Sequence, residues 1–278
     1  MIDLLRLCRL YYTVPMALTY LLTVYYARGG EAAGRWPGDI LSAAALAMVI
    51  AGGYVLNDVC DLQFDRLNAP HRALAAGRVG RKAAAAWGAA LMVAGLLLAP
   101  HGGRLELLAA LTAVAAGLIG YDLLSKRIGV GKPLVVAALM TTIYPLALAQ
   151  AGGASGPRAM SLAVFPAWLF PTALGYELLK DLRDAAGDKQ AAARPAPLQR
   201  HPALWRRVAA AAVVAPAPLL IVPFFLGCKA IYLGGAVIGI ALAVTSAFVP
   251  VRRAIRLVYA ECFLVAAAAA ADVVILGI

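Results

Sequence analysis

The chain has 278 residues, of which 63% are hydrophobic and only 14% are charged, and its formal net charge is +11. Soluble globular domains carry about 25% charged residues, so this composition excludes a soluble domain and indicates an integral membrane protein. Membrane proteins keep an excess of Lys and Arg in their cytoplasmic loops, so the positive charge does not require a nucleic-acid partner. The four cysteines are scattered, with no spacing typical of a metal site or a disulfide framework.

Nine apolar stretches are long enough to cross a membrane, since a spanning helix needs roughly 20 apolar residues. They lie at about 10–27, 40–57, 83–100, 105–124, 133–150, 160–179, 208–226, 230–250 and 257–276. We therefore predict a single all-α domain, 1–278, built as a bundle of nine transmembrane helices around a central cavity that opens to the cytoplasmic face. No clear cleavage pattern follows the first stretch, so we interpret it as a transmembrane helix and not as a signal peptide.

The basic residues divide unequally between the two sides of the predicted bundle. Of the 25 Lys and Arg residues, 20 fall on the side that holds the N-terminus and 5 fall on the other side. Cytoplasmic loops carry such an excess. The charge distribution therefore predicts a multi-pass protein of the cell membrane, with its N-terminus and its polar clusters in the cytoplasm.

A cluster of carboxylates follows the second apolar stretch, in the segment 57–65, which reads NDVCDLQFD. Asp58, Asp61 and Asp65 have the spacing i, i+3, i+7, so a helix that continued through them would place all three on one side. Like charges stacked in this way repel one another, which indicates that a cation binds between them.

The same spacing recurs at Asp181, Asp184 and Asp188, at the polar end of the sixth stretch. Carboxylate oxygens are the hard ligands that Mg²⁺ prefers, and Mg²⁺ commonly shares its remaining positions with substrate phosphates. We therefore predict that all six aspartates bind Mg²⁺ on a diphosphate. Glu177 lies one turn before Asp181 inside an apolar stretch, where an ionisable side chain is costly and usually functional.

Further polar residues near the two clusters are candidates for substrate binding. Lys binds phosphate oxygens as a point charge and Arg as a planar fork, and an aromatic ring can face a developing cation. The predicted substrate-binding residues are Asn57, Arg72, Arg78, Tyr121, Lys126, Arg127, Glu177 and Lys180. The alternative for the basic residues is anchoring at the cytoplasmic surface, and the alternative for the tyrosine is helix packing.

These residues resemble the UbiA-type intramembrane prenyltransferases. The segment 57–65 contains that family's Asn-Asp-x-x-Asp-x-x-x-Asp motif, the segment 66–78 resembles its basic loop, and Tyr121 with Lys126 resembles its third landmark. The second cluster, residues 177–188, is most similar to the branch that makes digeranylgeranylglyceryl phosphate, a precursor of archaeal ether lipids.

The resemblance implies Mg²⁺-dependent transfer of a polyprenyl group, geranylgeranyl in that branch, from its diphosphate to geranylgeranylglyceryl phosphate. The reaction would pass through an allylic carbocation and release diphosphate, with Arg72 and Lys126 sharing the charge of the leaving group. The quinone branches of the family transfer to an aromatic acceptor of the hydroxybenzoate type, which is the alternative. The implied partners are a polyprenyl diphosphate, its acceptor and membrane lipids, with no nucleic acid.

Other classes of membrane protein also carry clustered charges. A transporter of divalent cations or phosphate would have ionisable residues near the middle of its spans, whereas most of those here concentrate at one face. A CDP-alcohol phosphotransferase has its ligands in one continuous motif, whereas Asp58 and Asp181 lie 123 residues apart. A non-catalytic scaffold needs neither cluster, so the sequence favours the prenyltransferase.

Overall fold

A computed structural model describes residues 2–30, 35–102, 105–124, 131–191 and 200–277, without the side chains of 124 and 186–191. These residues are helical and contain no β-strand, so the all-α prediction is confirmed for them. They form two compact units. The first contains the described residues up to Leu124 except 22–30, together with 186–191, and the second contains the others. The extent of the domain, 1–278, stays a prediction.

Thirteen helices and two short 3-10 helices make up the described chain. The α-helices are α1 (Ile2–Leu7), α2 (Leu10–Ala27), α3 (Trp36–Cys60), α4 (Leu62–Asn68), α5 (Arg81–Leu98), α6 (Leu105–Leu124), α7 (Gly131–Thr141), α8 (Ile143–Ala151), α9 (Gly156–Ala191), α10 (Pro202–Val214), α11 (Val222–Phe225), α12 (Ala230–Phe248) and α13 (Val251–Leu276). The 3-10 helices are Ala99–Gly102 and Ala217–Ile221.

Eight helical segments of the described chain are long and apolar enough to cross a membrane. They are Trp36–Cys60, Arg81–Gly102, Leu105–Leu123, Gly131–Ala151, Gly156–Ala185, Pro202–Phe225, Ala230–Phe248 and Val251–Leu276. Each coincides with a predicted stretch, and the chain is a multi-pass membrane protein. The remaining stretch, 10–27, forms α2, which contains five tyrosines and is not among these eight segments. Nine spans therefore stay a prediction.

Glycines allow α3 and α5 to approach closely in the first unit. A Cβ atom added at Gly52 would lie 2.7 Å from the carbonyl oxygen of Gly88, and one added at Gly95 would lie 2.7 Å from that of Ala45. Neither contact leaves room for a side chain. Small residues thus hold the helix that carries the first motif against its neighbour, as close packing in lipid requires.

We expect Gly52→Ala to destabilise the protein by about 1–3 kcal/mol, because α3 and α5 must separate to admit the methyl group. Gly120→Ala on α6 is the matched control, since its added Cβ meets no atom within 4 Å. Alanine is favoured over glycine in a helix by roughly 1 kcal/mol, so the control should be neutral or stabilising. Thermal unfolding in detergent measures both variants, and an equal Tm for the two would contradict the close approach.

Buried polar side chains join helices in the second unit. Asp272 of α13 accepts hydrogen bonds from the backbone nitrogens of Lys229 (2.6 Å) and Tyr232 (3.0 Å), which caps the start of α12. Trp168 of α9 donates from its indole nitrogen to Glu261 of α13 at 3.0 Å. Because the interior offers these groups no bulk water, each bond stabilises the arrangement of the helices that it joins.

The longest helix, α9, carries the second carboxylate motif. It runs for 36 residues and includes Pro166 and Pro171. Each proline removes one backbone hydrogen bond, a defect that membrane helices tolerate where neighbouring groups satisfy the freed carbonyl. The helix continues past its apolar part, so the motif residues follow one another on regular helical turns.

Candidate active site

The first motif spans a break between two helices. α3 ends at Cys60, α4 begins at Leu62, and Asp61 stands between them with φ −91° and ψ 6°. A single helix face for Asp58, Asp61 and Asp65, as expected from their spacing, is therefore not observed.

Two arginines hold the carboxylates at the ends of this motif. Nη1 of Arg72 lies 2.7 Å from both carboxylate oxygens of Asp65 and 3.5 Å from Oδ1 of Asp58. Nη2 of Arg9 donates to the same Oδ1 of Asp58. Both aspartates are buried. Arg72, predicted to bind the diphosphate, therefore lies at the first motif, and its role in substrate binding stays a prediction.

The loop before α5 places Arg72 through its own hydrogen bonds and its buried neighbours. The amide of Arg78 donates to the carbonyl of Ala73, the amide of Gly77 donates to that of Leu74, and Gly77 has φ 74°. This pair of bonds with a left-handed glycine is a Schellman motif, which ends the helical turn that starts at Arg72. Ala73 and Leu74 are buried in the core of the first unit, so the position of the turn is fixed by packing.

Arg9 is a residue of the site that the sequence did not identify, since it was counted only as a basic residue near the membrane. It lies between α1 and α2 and is the one non-glycine residue of the described chain with a positive φ, 46°. Such a backbone costs about 1–3 kcal/mol and persists where its surroundings enforce it. The guanidinium of Arg9 lies 5.0 Å from the ring centroid of Tyr54 and pairs with Asp58, which are contacts that hold it there.

Asn57 links the middle carboxylate to a second residue that the sequence did not identify. Its Nδ2 donates to Asp122 at 2.9 Å and lies 3.5 Å from Oδ2 of Asp61. Asp122 stands at the end of α6, next to the predicted Tyr121. The sequence signal that could have identified Asp122 was a carboxylate at the end of an apolar stretch, and the structure shows that this residue is buried.

The electrostatics of the first motif combine burial with close cations. Burial raises the pKa of the Asp65 carboxyl, and the neighbouring Arg72 opposes that shift. Burial lowers the pKa of the Arg9 guanidinium, but Asp58 together with Tyr54 and Tyr11 more than offsets this effect, and the pKa lies above its ordinary value. Arg9 therefore remains a cation beside the first motif.

One predicted basic residue of the described chain does not contact the carboxylates of the first motif. Arg78 points elsewhere, with Nη2 donating to the backbone carbonyl of His71 at 2.9 Å and Nε lying 3.4 Å from Asp3. Lys126 and Arg127 lie outside the described residues. Their roles in substrate binding stay predictions.

Asp181 and Asp184 of the second motif lie on α9 in the second unit, and both are also paired with cations. Lys132 donates to Asp181 at 3.0 Å, and Arg183 binds Asp184 through two bonds of 2.7 Å. Lys132, counted among the cytoplasmic basic residues but not predicted as a site residue, is brought in by the start of α7. Asp188 belongs to α9, but its side chain is outside the described part.

Glu177 and Lys180 form an ion pair one turn before this motif. Lys180 Nζ lies 2.7 and 2.9 Å from the two carboxylate oxygens of Glu177, and it also lies 5.5 Å from the ring centroid of Tyr176. Glu177 is buried, which is unusual for an unpaired carboxylate. Lys180 therefore compensates the negative charge of Glu177, and this ion pair lies next to the second motif on α9.

The donor atoms of the first motif are suited to a divalent cation. Within the described chain, no three His, Cys, Asp or Glu side chains are close enough to hold one ion together. Nevertheless, three carboxylate oxygens, two from Asp65 and one from Asp58, lie within 3.5 Å of one positive nitrogen, Nη1 of Arg72. Such hard oxygen donors bind Mg²⁺, so Asp58 and Asp65 fit this ion if the guanidinium moves aside.

Comparisons with known proteins identify the family to which this chain is similar. The chain matches the model of the UbiA prenyltransferase family over residues 16–269. It is 34% identical over 194 residues to the digeranylgeranylglyceryl phosphate synthase of Methanoculleus marisnigri, covering 70% of this chain and 67% of that relative. The family resemblance of the motifs is thereby confirmed.

Two solved structures have a similar fold. One is the apo structure of a UbiA homologue from Aeropyrum pernix K1, with a TM-score of 0.75, 17% identity, and coverage of 97% of this chain and 99% of that one. The other is a UbiA homologue from Archaeoglobus fulgidus bound to GPP and Mg²⁺, with a TM-score of 0.70, 16% identity, and coverage of 98% and 100%. At these identities the likeness establishes the fold.

Proposed function

Because the chain belongs to the UbiA prenyltransferase family, we propose that this prenyltransferase transfers a geranylgeranyl group from its diphosphate to geranylgeranylglyceryl phosphate. The observation that supports this proposal most directly is the arrangement of Asp58 and Asp65, whose carboxylate oxygens surround one positive nitrogen of Arg72. The name of the Methanoculleus relative supports the acceptor. The GPP and Mg²⁺ bound to the Archaeoglobus homologue support a prenyl diphosphate donor and the metal.

In this proposal the carboxylates of both motifs would hold Mg²⁺, directly or through water, where the donor's diphosphate binds. The residues are Asp58, Asp61, Asp65, Asp181, Asp184 and Asp188. When bound, Mg²⁺ neutralises negative charge on the diphosphate oxygens. Arg72, released from Asp65, binds the same oxygens with its planar fork, and Arg9 keeps Asp58 in position.

The chain lowers the barrier by binding the leaving group more tightly as its charge grows. The allylic carbon–oxygen bond breaks, both electrons stay with the diphosphate, and the prenyl group becomes a carbocation. Cationic side chains that contact the diphosphate stabilise this transition state more than the ground state, because they bind the growing negative charge more tightly. The acceptor's hydroxyl oxygen then forms the new carbon–oxygen bond and loses its proton. The apolar helices exclude water, which would otherwise capture the carbocation.

The test is a product assay with the purified chain, geranylgeranyl diphosphate and Mg²⁺, with each acceptor supplied separately. We expect a product with the mass of digeranylgeranylglyceryl phosphate, loss of turnover in excess chelator, and recovery when Mg²⁺ is restored. A prenylated hydroxybenzoate in place of the ether lipid would overturn the acceptor and leave the prenyltransferase intact. Full turnover in chelator would overturn the role of the metal.

We also propose that the protein has a cytoplasmic N-terminus and an active site facing the cytoplasm. The division of Lys and Arg, 20 against 5, supports this orientation. With nine spans, a reporter fused after Ile278 should lie outside the cytoplasm. A cytoplasmic reporter at that position would contradict the combination of nine spans and this orientation.

A further inference from the structure

An exposed group of arginines lies where α10 and α13 begin, in the second unit. Arg207 belongs to the first two turns of α10, and Arg252, Arg253 and Arg256 belong to the first two turns of α13. All four side chains are exposed, and we call them the arginine cluster. The proposed transfer reaction uses none of them.

The neighbouring Arg206 brings the two helix starts together. Its Nη2 donates to the backbone carbonyls of Ser246 (2.7 Å), Ala247 (3.3 Å) and Val249 (3.0 Å), which ties α10 to the end of α12. Arg252 follows Val249 by three residues, or at most about 11 Å of chain. The start of α13 therefore lies close to the start of α10.

The positive charge of the cluster is not compensated within the described chain. Residues 189–260 contain no Asp or Glu, and none of the four guanidiniums forms an ion pair or hydrogen bond with a described residue. Cations in the first turn of a helix are also unfavourable, because the amino end of a helix carries partial positive charge. A bound anion would relieve both the mutual repulsion and the helix-end repulsion.

Exposed apolar side chains beside the cluster indicate that the bound anion is the head group of a lipid. Phe248 is 84% exposed and Leu204 is 56% exposed, and they stand at the end of α12 and the start of α10. A soluble anion would gain nothing from these apolar surfaces, whereas acyl chains pack against them. Basic residues between membrane helices bind acidic head groups, and arginine binds phosphate through paired hydrogen bonds.

We propose that the arginine cluster binds the phosphate of an anionic membrane phospholipid, whose acyl chains lie against Phe248 and Leu204. Each arginine near a membrane surface contributes about 1 kcal/mol to attraction for anionic lipid. Removing two of them should therefore weaken binding by roughly 25-fold. This lipid is distinct from the donor, whose diphosphate the proposed reaction assigns to the two aspartate motifs.

The test is native mass spectrometry of the full chain, released from detergent that contains equimolar phosphatidylglycerol and phosphatidylcholine. We expect wild type to retain phosphatidylglycerol preferentially and Arg252→Gln/Arg253→Gln to lose most of that preference. Arg81→Gln/Lys82→Gln is the matched control, since it also removes two exposed charges from the first turn of a membrane helix, α5. The control should keep the preference of wild type.

Three results would overturn the proposal. One is an absence of preference in wild type, and another is an equal loss in both double variants, which would show a response to overall charge. The third is displacement of the lipid by a large excess of inorganic phosphate, which would show that a free anion is the ligand. The Tm of each variant in detergent confirms that it is folded, and turnover of the cluster variant with saturating substrates should match wild type.

Discussion

We expect Asp61→Asn to reduce diphosphate release by roughly 10²- to 10³-fold, the loss typical when one preorganised electrostatic contact is removed from a transition state. Asparagine has nearly the size of aspartate, so the break between α3 and α4 is retained and the Tm should change little. Asp39→Asn is the matched control, because it makes the same change at the opposite end of α3, where Asp39 is buried in the first turn. Asp39 lies about 33 Å from Asp61 along the helix axis, so the Asp39→Asn variant should keep its turnover.

The double variant Asp61→Asn/Asp184→Asn tests whether the two motifs act in the same step of the reaction. Residues that act as a unit are not additive in their kinetic effects, so the double variant should lose little beyond either single variant. The measurement is the rate of diphosphate release at saturating donor. Losses in log rate that sum would show that the motifs act separately, and wild-type release by either single variant would remove that residue from the mechanism.

Arg9→Met should destabilise the folded protein by about 3–5 kcal/mol, the usual cost of removing one partner from a buried ion pair. The side chains of Arg9 and Asp58 are 11% and 4% exposed, so Asp58 would lose its closest cation in a place where water cannot replace it. Arg72, at 3.5 Å, would be its remaining cationic contact. Thermal unfolding in detergent, without substrate or Mg²⁺, measures this effect.

Arg6→Met provides the control, because the pair between Arg6 and Asp3 is exposed at 66% and 31%. Exposed pairs contribute at most about 1 kcal/mol, so this Tm should be close to that of wild type. Adding Asp58→Asn to Arg9→Met should recover part of the lost stability, since it removes the uncompensated charge. Equal effects of Arg6→Met and Arg9→Met would show that Arg9 does not pair with Asp58 in solution.

The spans were the part of the fold that the sequence predicted best. Apolar length alone located the eight segments that the described chain contains, because lipid requires backbone hydrogen bonds to be closed within each helix. The break at Asp61 was not predictable from spacing, since i, i+3, i+7 fits a helix whether or not it continues.

Within the site, sequence reasoning found the motif residues and Arg72 but missed their partners. Arg9 and Lys132 reach the carboxylates from distant parts of the chain, and a basic residue near a membrane end has a sufficient explanation as an anchor. Asp122 was missed because it is a single carboxylate without the repeated spacing that identified the two clusters. Pairing between distant segments is a tertiary property, which composition and local spacing do not encode.

The length of α9 has a consequence for how substrate and product would travel. Its 36 residues extend about 54 Å, whereas the hydrocarbon layer of a bilayer is roughly 30 Å thick. Asp181 and Asp184 lie about 38–42 Å from the start of the helix. A helix perpendicular to the membrane therefore places them beyond the hydrocarbon core, at the depth of the lipid head groups. A diphosphate held there would stay at the water boundary throughout a turnover. It would then leave by diffusion into water, while the lengthened lipid stays dissolved in the membrane.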